Sequence, residues 1–384
     1  MGRDRAAPEG RLKRLLVMLA ACGATPTPAP VAKAPVTSDA AVDAPQVSDD
    51  EKLAAIQKAM NDLAPVVQQC WAAVAAAERF DVEGELAAQI DIAPAPHVTL
   101  VRDTTKNATL AACVTKVLES YRWAPPLAGQ SIQLPFQFHA PDGQSVIDRR
   151  LVPEKTQGKI GVSVLLDENT TGNPAASMLG VTLGASTGLR TAERDQLWYI
   201  TGNDAVVGKD TAAPGDMIFV PKGGVFEVAP KAGDVHAVVV LVPGGREGIA
   251  RAGALPNRDA VGAKPSGAIV LHAKNAKTYC RGGTSGPDCA GVQIFAEPST
   301  IHSSALSASR LIDIKQVPEH VHERETELVY VEQGQGTFTV GGTDVAITGS
   351  SVTQIPPKVR HAFVGEVTGF QVYTPAGPEQ RFKK

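Results

Sequence analysis

The sequence predicts a mainly β protein in which two jelly-roll barrels follow a small α+β domain. Glycine and proline are abundant, at 36 and 28 residues, whereas aromatic residues make up only 5%. This composition favours turn-rich β structure and linkers over a helical bundle. From about residue 158 onwards, short apolar segments alternate with turn residues and occur in two similar copies, which is typical of double-sheet barrels.

Length and charge limit the possible functions. A chain of 384 residues has room for roughly two to three domains. Its net charge is −3 and no basic cluster follows the extreme N-terminus, so the sequence predicts no nucleic-acid partner. No apolar run reaches the roughly 18–20 residues of a membrane-spanning helix.

Residues 1–21 have the pattern of an export signal. The basic residues at its start are Arg3, Arg5, Arg11, Lys13 and Arg14. A short apolar segment follows and ends in Leu19, Ala20 and Ala21, directly before Cys22. This ending resembles the lipobox of bacterial lipoproteins, which implies that Cys22 is lipidated and that the protein lies in the cell envelope, facing the periplasm, with lipid as its only membrane anchor. A plain secretory signal with a chance cysteine is the alternative.

Residues 22–50 predict a disordered linker behind the lipidated cysteine. They are mostly Ala, Pro, Thr, Val and Asp, and their apolar residues follow neither a helical nor a strand period. We therefore expect a tether that separates the folded domains from the membrane.

Cysteine usage agrees with export. The chain has five cysteines, namely Cys22, Cys70, Cys113, Cys280 and Cys289. If the first is lipidated, an even number remains for an oxidising compartment. Proximity along the chain favours the pairs Cys70–Cys113 and Cys280–Cys289, although four cysteines allow three connectivities and buried free thiols are the alternative.

Residues 51–140 predict a small domain with the element order α-β-β-α-β. The first helix has an apolar face of Leu53, Ile56, Met60, Leu63 and Val66. Strand-like alternation runs over 84–92, continues over 98–101 and returns over 132–138. A second helical face lies between the second and third strands, from Leu110 to Tyr121.

This domain resembles a known interaction module. The residues that carry the resemblance are Gln69-Cys70-Trp71, Gly84-Glu85-Leu86, Ala112-Cys113-Val114, Trp123 and Leu134-Pro135-Phe136-Gln137-Phe138. They resemble the TonB-like C-terminal domain of gliding-motility proteins of the AgmX/PglI type. The resemblance implies a periplasmic module that contacts other envelope proteins, and its two cysteines match the pair suggested above. An unrelated α+β domain is the alternative.

The C-terminal part of the chain contains an internal repeat, predicted to form barrels over 158–248 and 265–384. The matching segments are Gln196–Gly202 with Glu327–Gly334, Gly215–Pro221 with Ser350–Pro356, and Pro243–Glu247 with Pro375–Glu379. Each copy consists of short apolar strands separated by Gly, Pro, Asn and Asp.

The second copy carries two motifs of the cupin family. His320 and His322 are followed by Glu327 and then Gly334, and Pro356 precedes His361 at the spacing of the second motif. The chain therefore resembles a two-barrel cupin, or bicupin. The resemblance implies one divalent metal ion held by His320, His322, Glu327 and His361. Three imidazoles and a carboxylate suit Zn, Cu, Fe, Mn or Ni.

The spacing agrees with this ligand set. Two histidines at i and i+2 project from one face of a strand, and Glu327 would enter from the next strand. Three family glycines are replaced here, by Ile314, Ser350 and Lys358, and the last could alter the turn that aims His361. The alternative is a barrel that kept its histidines without binding metal.

The first copy lacks these ligands. Its equivalent positions hold Leu189, Thr191, Gln196 and Phe226, none of which is a good ligand for a transition metal. We therefore expect a metal-free barrel that packs against its partner or binds a ligand.

Three functions follow from these patterns. The first is a metal-dependent enzyme acting on a small polar molecule, since cupins use the metal as a Lewis acid or to activate dioxygen or water. The second is a non-catalytic envelope protein that binds a ligand or sugar, and the third is a structural assembly. Catalytic acids or bases cannot be assigned from the sequence. Metal uptake outside the cytoplasm would favour Zn or Cu over Mn or Fe.

Overall fold

A computed structural model describes residues 47–75, 82–138, 145–280 and 289–383 of the chain. The predicted export signal, Cys22 with its predicted lipidation, and most of the predicted linker 22–50 lie outside these ranges. Residues from Val47 onwards form one compact unit. None of its described helices combines the length and apolar character that crossing a membrane requires.

The small domain has the predicted order of elements. Its members are α1 (Asp49–Cys70) with a π-helical turn (Trp71–Ala75), β1 (Gly84–Asp91), β2 (His97–Asp103), α2 (Ala108–Ser120), a 3-10 turn (Pro125–Leu127) and β3 (Ser131–Phe138). The strands form an antiparallel sheet with β1 in the centre. β2 begins at His97, which pairs with Asp91 in the ladder.

Local chemistry explains these elements. Ser48 and Glu51 form a capping box that satisfies free backbone N–H groups at the start of α1. Leu86 and Ile90 alternate along β1 and are fully buried against the helices. The predicted disulfide between Cys70 and Cys113 is confirmed and joins α1 to α2, with a Cα–Cα distance of 5.8 Å.

The first barrel follows. The elements in this region are β4 (Ser145–Asp148), a 3-10 turn (Arg149–Leu151), β5 (Lys155–Gln157), β6 (Ile160–Leu166), α3 (Glu168–Thr171), β7 (Ser177–Leu183), β8 (Arg190–Ala192), β9 (Asp195–Gly202), β10 (Ala205–Val207), β11 (Asp210–Ala212), β12 (Met217–Val220), β13 (Val225–Phe226), β14 (Ala229–Pro230), β15 (Val235–Val242), α4 (Gly248–Arg251), β16 (Asn257–Asp259) and β17 (Ile269–Leu271). A seven-stranded sheet, ordered β17-β12-β9-β15-β7-β6-β5, is accompanied by two three-stranded sheets.

The second barrel is built on longer strands. Its elements are a 3-10 turn (Ala273–Asn275), β18 (Lys277–Cys280), β19 (Gly291–Ala296), α5 (Pro298–Ile301), β20 (Ser307–His320), β21 (Thr326–Val340), β22 (Thr343–Thr348), β23 (Ser351–Ile355), β24 (His361–Thr374) and a C-terminal 3-10 helix (Pro378–Lys383). Most strands follow the order β18-β19-β20-β24-β21-β23-β4, and β22 pairs with β21. The predicted Cys280–Cys289 disulfide is also confirmed and links the last residue of β18 to the segment just before β19.

Strand pairing crosses the predicted barrel boundaries. β4 precedes the first barrel in sequence but pairs with β23 of the second. β17 lies within the range 265–384 predicted for the second barrel, yet it pairs with β12 of the first. Each barrel therefore takes an edge strand from outside its predicted range, because a free edge offers unpaired backbone groups to any extended segment nearby.

The first barrel has an apolar interior. Trp198 and Phe226 are fully buried and meet edge to face, with ring centroids 6.1 Å apart. Gln196, at the position equivalent to Glu327, is buried and hydrogen-bonded to Asn257 and Trp198. Its amide is thus satisfied within the protein.

The two barrels share a packed interface. Tyr199 of β9 is fully buried and lies against Phe370 of β24, with ring centroids 4.6 Å apart. Its hydroxyl donates a hydrogen bond of 2.9 Å to Glu332 Oε2 on β21. The polar tip of this aromatic residue is therefore satisfied inside the interface, as burial of a tyrosine requires.

Candidate metal centre

Three neighbouring strands bring four side chains to one point. His320 is the last residue of β20, Glu327 is the second residue of β21, and His361 is the first residue of β24. His322 lies just beyond the end of β20, and not within the strand as the i, i+2 spacing suggested. Because β24 pairs with both β20 and β21, residues distant in sequence become neighbours.

The ligand atoms of these four residues form a tight cluster. One nitrogen or carboxylate oxygen from each of His320, His322, Glu327 and His361 lies within 4.8 Å of the others. Glu327 Oε2 is 3.0 Å from His322 Nε2 and 3.0 Å from His361 Nε2. Within the described ranges, no other set of three or more His, Cys, Asp and Glu residues converges in this way.

Backbone contacts orient two of the rings. His320 Nδ1 lies 2.9 Å from the carbonyl oxygen of Pro318, and His361 Nδ1 lies 2.9 Å from that of Val359. A carbonyl only accepts hydrogen bonds, so each Nδ1 carries the proton and donates it. This leaves Nε2 as the nitrogen of each ring that would coordinate a metal, and the Nε2 proton that His361 donates to Glu327 would be released when the metal binds.

The electrostatics of the cluster favour an ionised carboxylate. Burial by itself raises the pKa of Glu327, but the hydrogen bonds from His322 and His361 outweigh burial and hold this pKa at about 2. Burial lowers the pKa of His361, yet its hydrogen bond to Glu327 produces a net upward shift. Burial also lowers the pKa of His320. The centre therefore contains a buried negative charge that compensates a cation.

The turn that aims His361 departs from the family pattern without losing its shape. Lys358 stands where the family has glycine, and its φ of 67° lies in the left-handed region that favours glycine. Its N–H donates a hydrogen bond of 2.7 Å to the carbonyl of His322, which ties this turn to the other metal-site turn. At Gly334, where the family glycine is kept, a Cβ would collide with the carbonyl of Glu366.

The donor set fits a divalent transition metal. Three imidazoles and one carboxylate are borderline ligands, which suit Zn, Cu, Fe, Mn or Ni better than a hard cation that prefers oxygen. His322, Glu327 and His361 are buried and His320 is half-buried. The burial of a carboxylate among imidazoles is the observation that supports this fit, since such a group needs a compensating positive charge.

Sequence reasoning missed two polar residues beside the centre. Tyr373 is the cross-strand neighbour of Glu327, and its hydroxyl lies 3.3 Å from Arg381 Nη2. The same Nη2 atom lies 3.4 Å from His320 Nε2. Neither residue belongs to a cupin motif, and Arg381 comes from the C-terminal 3-10 helix, so no sequence signal indicated them.

A cavity of about 550 Å³ adjoins the four residues. Its polar end includes His320, Glu327, His361, Tyr373 and Arg381. Most of its wall is apolar and comes from the inner face of the second barrel, including Leu311, Val331, Phe338, Ile347, Phe363 and Val367. The centre is therefore accessible to a ligand of moderate size.

Comparison with known protein families agrees with this geometry. Residues 314–375 match the family model described as "Cupin domain". The matched segment contains His320, His322, Glu327 and His361. The match is confined to the C-terminal third of the chain. No curated protein matches the chain.

The solved structures to which the chain is similar include the following three, all at low identity. The oxalate decarboxylase of Lactobacillus farciminis, solved as a formate complex, is 11% identical with a TM-score of 0.47, over 60% of this chain and 86% of that one. Protein Ylba of E. coli is 11% identical with a TM-score of 0.46, over 61% and 91%. Bacillus subtilis oxalate decarboxylase, in a structure concerned with its Mn(II) centers, is 12% identical with a TM-score of 0.47, over 62% and 78%. Similarity this distant says nothing about the reaction of the present chain.

Proposed function

We propose that the chain binds one divalent transition metal ion through His320, His322, Glu327 and His361, and that it is a metal-dependent enzyme acting on a small molecule in the adjacent cavity. The observation that carries this proposal is the convergence of four ligand atoms within 4.8 Å at one end of a cavity. The ion would be Zn, Cu, Fe, Mn or Ni, the metals that suit three imidazoles and one carboxylate.

Each residue around the centre has a distinct part in this proposal. A bound metal would supply Lewis acidity or activate water or dioxygen. Glu327 and the three histidines would hold it, and Pro318 and Val359 would keep two of the rings in the coordinating tautomer. The Tyr373 hydroxyl would hold a proton beside a bound substrate, and the apolar wall would exclude water from it.

A non-catalytic ligand-binding protein is the second candidate. The apolar cavity wall favours it, because such a wall offers few groups for proton transfer. The Tyr373 hydroxyl and the Arg381 guanidinium favour the enzyme, since both are polar groups beyond the four ligands. We therefore place the enzyme first.

Elemental analysis tests the metal proposal. The full mature chain, purified without affinity metal, is compared with a His320→Ala/His322→Ala variant and with the control His236→Ala, which changes an exposed histidine of the first barrel. We expect about one equivalent of a transition metal in the wild type and the control, and little in the double variant. Equal metal in all three proteins, or none after reconstitution, would refute the proposal.

We also propose that the protein is exported and anchored in the envelope through Cys22. The two disulfides support export, because such bonds persist in oxidising compartments. Metabolic labelling with radioactive palmitate tests the anchor, and a Cys22→Ser variant is the control. Label in the wild type but not in the variant is expected, whereas an unlabelled wild type would exclude the lipid anchor.

We further propose that the small domain, 51–140, contacts other envelope proteins. Its three-stranded sheet has β2 at one edge, and exposed sheet edges are common docking sites for extended segments. A photo-crosslinking residue at Val101, which is 47% exposed on β2, should capture an envelope protein in cells. The same residue at Lys209, exposed on the first barrel, should not. Equal crosslinking at both positions would count against the edge.

A further inference from the structure

The cavity of the second barrel is divided into a polar end and an apolar body. The polar end contains the proposed metal ligands and Arg381. The body is walled by side chains that are buried in the barrel, among them Val331, Phe338, Ile347 and Phe363. Removing such apolar surface from water lowers the free energy most when the group that covers it is also apolar. The body of the cavity therefore favours a hydrocarbon group over a polar one.

Arg381 is a positive charge at the polar end, and among the residues that the structure describes it has no anionic partner. Its guanidinium lies beside the Tyr373 hydroxyl and His320 Nε2, and no carboxylate of the described residues lies within ion-pair distance of it. Glu319, the other acidic residue of the lining besides Glu327, is already paired with Arg360 at 2.7 Å. Arg381 is therefore the cavity's available anion-binding group.

The helix that carries Arg381 is fixed to the barrel. Glu379 is buried, and its Oε2 accepts hydrogen bonds from Ser307 Oγ at 2.5 Å and from the N–H of Gly377 at 2.8 Å. Gln380 donates a hydrogen bond of 2.9 Å to Glu297. These contacts hold the guanidinium near the centre before any ligand arrives, which lowers the entropic cost of binding.

We propose that the ligand of this site is an amphipathic carboxylate. Arg381 binds the carboxylate at the metal end, and an apolar chain or ring on the order of ten carbons fills the body. This inference rests on the proposed function, because it assigns a ligand class to the same site. It replaces the small polar molecule expected from the family resemblance, because a short polar ligand would leave the apolar wall uncovered.

Calorimetric titration with straight-chain carboxylates tests the ligand class. Butanoate, hexanoate, octanoate and decanoate are titrated into the full chain, once loaded with Zn and once stripped of metal, with decanamide as the neutral comparison. We expect affinity to rise by up to about fourfold for each CH₂ that enters the cavity. Decanamide should bind more weakly than decanoate because it lacks the charge.

Substitution of Arg381 tests the anion contact. Arg381→Gln should weaken decanoate binding by roughly 10- to 100-fold and leave metal content unchanged, because a charge-assisted hydrogen bond is lost. Arg381→Lys should recover part of the affinity. The control Arg324→Gln, which alters an exposed arginine in the turn after His322, should bind decanoate like the wild type.

The outcomes separate this inference from the metal proposal. A wild type that takes up metal but binds no carboxylate, or binds all chain lengths equally, overturns the ligand class and leaves the metal proposal standing. Unchanged decanoate affinity in Arg381→Gln overturns the role of this arginine. Arg381-dependent decanoate binding by a protein that takes up no metal supports the ligand class and refutes the metal proposal.

Discussion

His320 and His361 face each other across the ladder between β20 and β24, with ring centroids 4.1 Å apart. Each ring donates its Nδ1 proton to the backbone carbonyl two residues before it, on Pro318 and on Val359. β20 supplies both His320 and Pro318, whereas Val359 lies in the turn directly before β24, so the chain segment just before each histidine orients its ring. Such orientation contributes to metal affinity because the rings lose little freedom on binding.

Glu327 should dominate metal affinity among the four ligands. We expect Glu327→Gln to weaken metal binding by at least about 100-fold, because it removes the negative charge of the centre. Even the loss of a residue that only hydrogen-bonds to a metal ligand lowers metal affinity by about 10- to 100-fold. Competition with a chromophoric chelator measures the change. The control Glu323→Gln changes an exposed glutamate in the turn between β20 and β21, and its metal affinity should equal that of the wild type. Equal losses in both variants would show that the carboxylate is not a ligand.

The position of Lys358 should accept glycine with little loss of stability, but not valine. Its φ of 67° costs a side-chain-bearing residue about 1 kcal/mol, and glycine removes that cost while adding freedom to the unfolded chain. We expect Lys358→Gly to change the free energy of unfolding by less than about 1 kcal/mol, and Lys358→Val to lower it by about 1–3 kcal/mol. Denaturant unfolding measures both. Equal stability of the two variants would argue against a left-handed turn.

The two disulfides should contribute unequally to stability. The Cys70–Cys113 bond spans 43 residues, and loop-closure entropy predicts a loss of up to about 4 kcal/mol when both cysteines become alanine. The Cys280–Cys289 bond spans 9 residues, and the same relation gives about 3 kcal/mol. Denaturant midpoints followed by tryptophan fluorescence compare the double variants. A larger effect from the shorter loop would contradict this order.

Three tyrosines should resist ionisation in alkaline solution. Burial raises the pKa of Tyr121 and of Tyr330 to about 12, and burial together with the charge of Glu332 also raises that of Tyr199. Absorbance at 295 nm between pH 9 and 11 should therefore lack their contribution until the chain is unfolded. Because a raised folded pKa favours the protonated form, the stability it provides is present below pH 10 and disappears as pH rises through 12. Full ionisation near pH 10 in folded protein would contradict these shifts.

Pattern and motif anticipated much of the fold. Of the helical face predicted for α1, Leu63 is buried but Leu53 is 65% exposed, whereas Leu86 and Ile90 of the alternating strand are both buried as predicted. The motif residues around His320 and His361 were recognisable because a metal site needs particular donors at particular spacings. Such patterns and motifs depend on residue types at short spacings in the sequence, so they can be recognised without a structure.

Other features depended on contacts between distant segments. β4 and β17 each pair with the barrel that sequence order did not suggest, because any short apolar segment can complete an exposed sheet edge. The position of Arg381 beside His320 depends on how the C-terminal helix packs against Ser307 and Glu297. Sequence by itself predicted the elements of the small domain, favoured the two disulfide pairs and identified the candidate ligands, because these depend on residues at short or regular spacings. Tertiary structure alone decided the edge pairings, the apolar cavity and the position of Arg381 at its polar end. Each of these arises from chain segments that meet only after the sheet has closed.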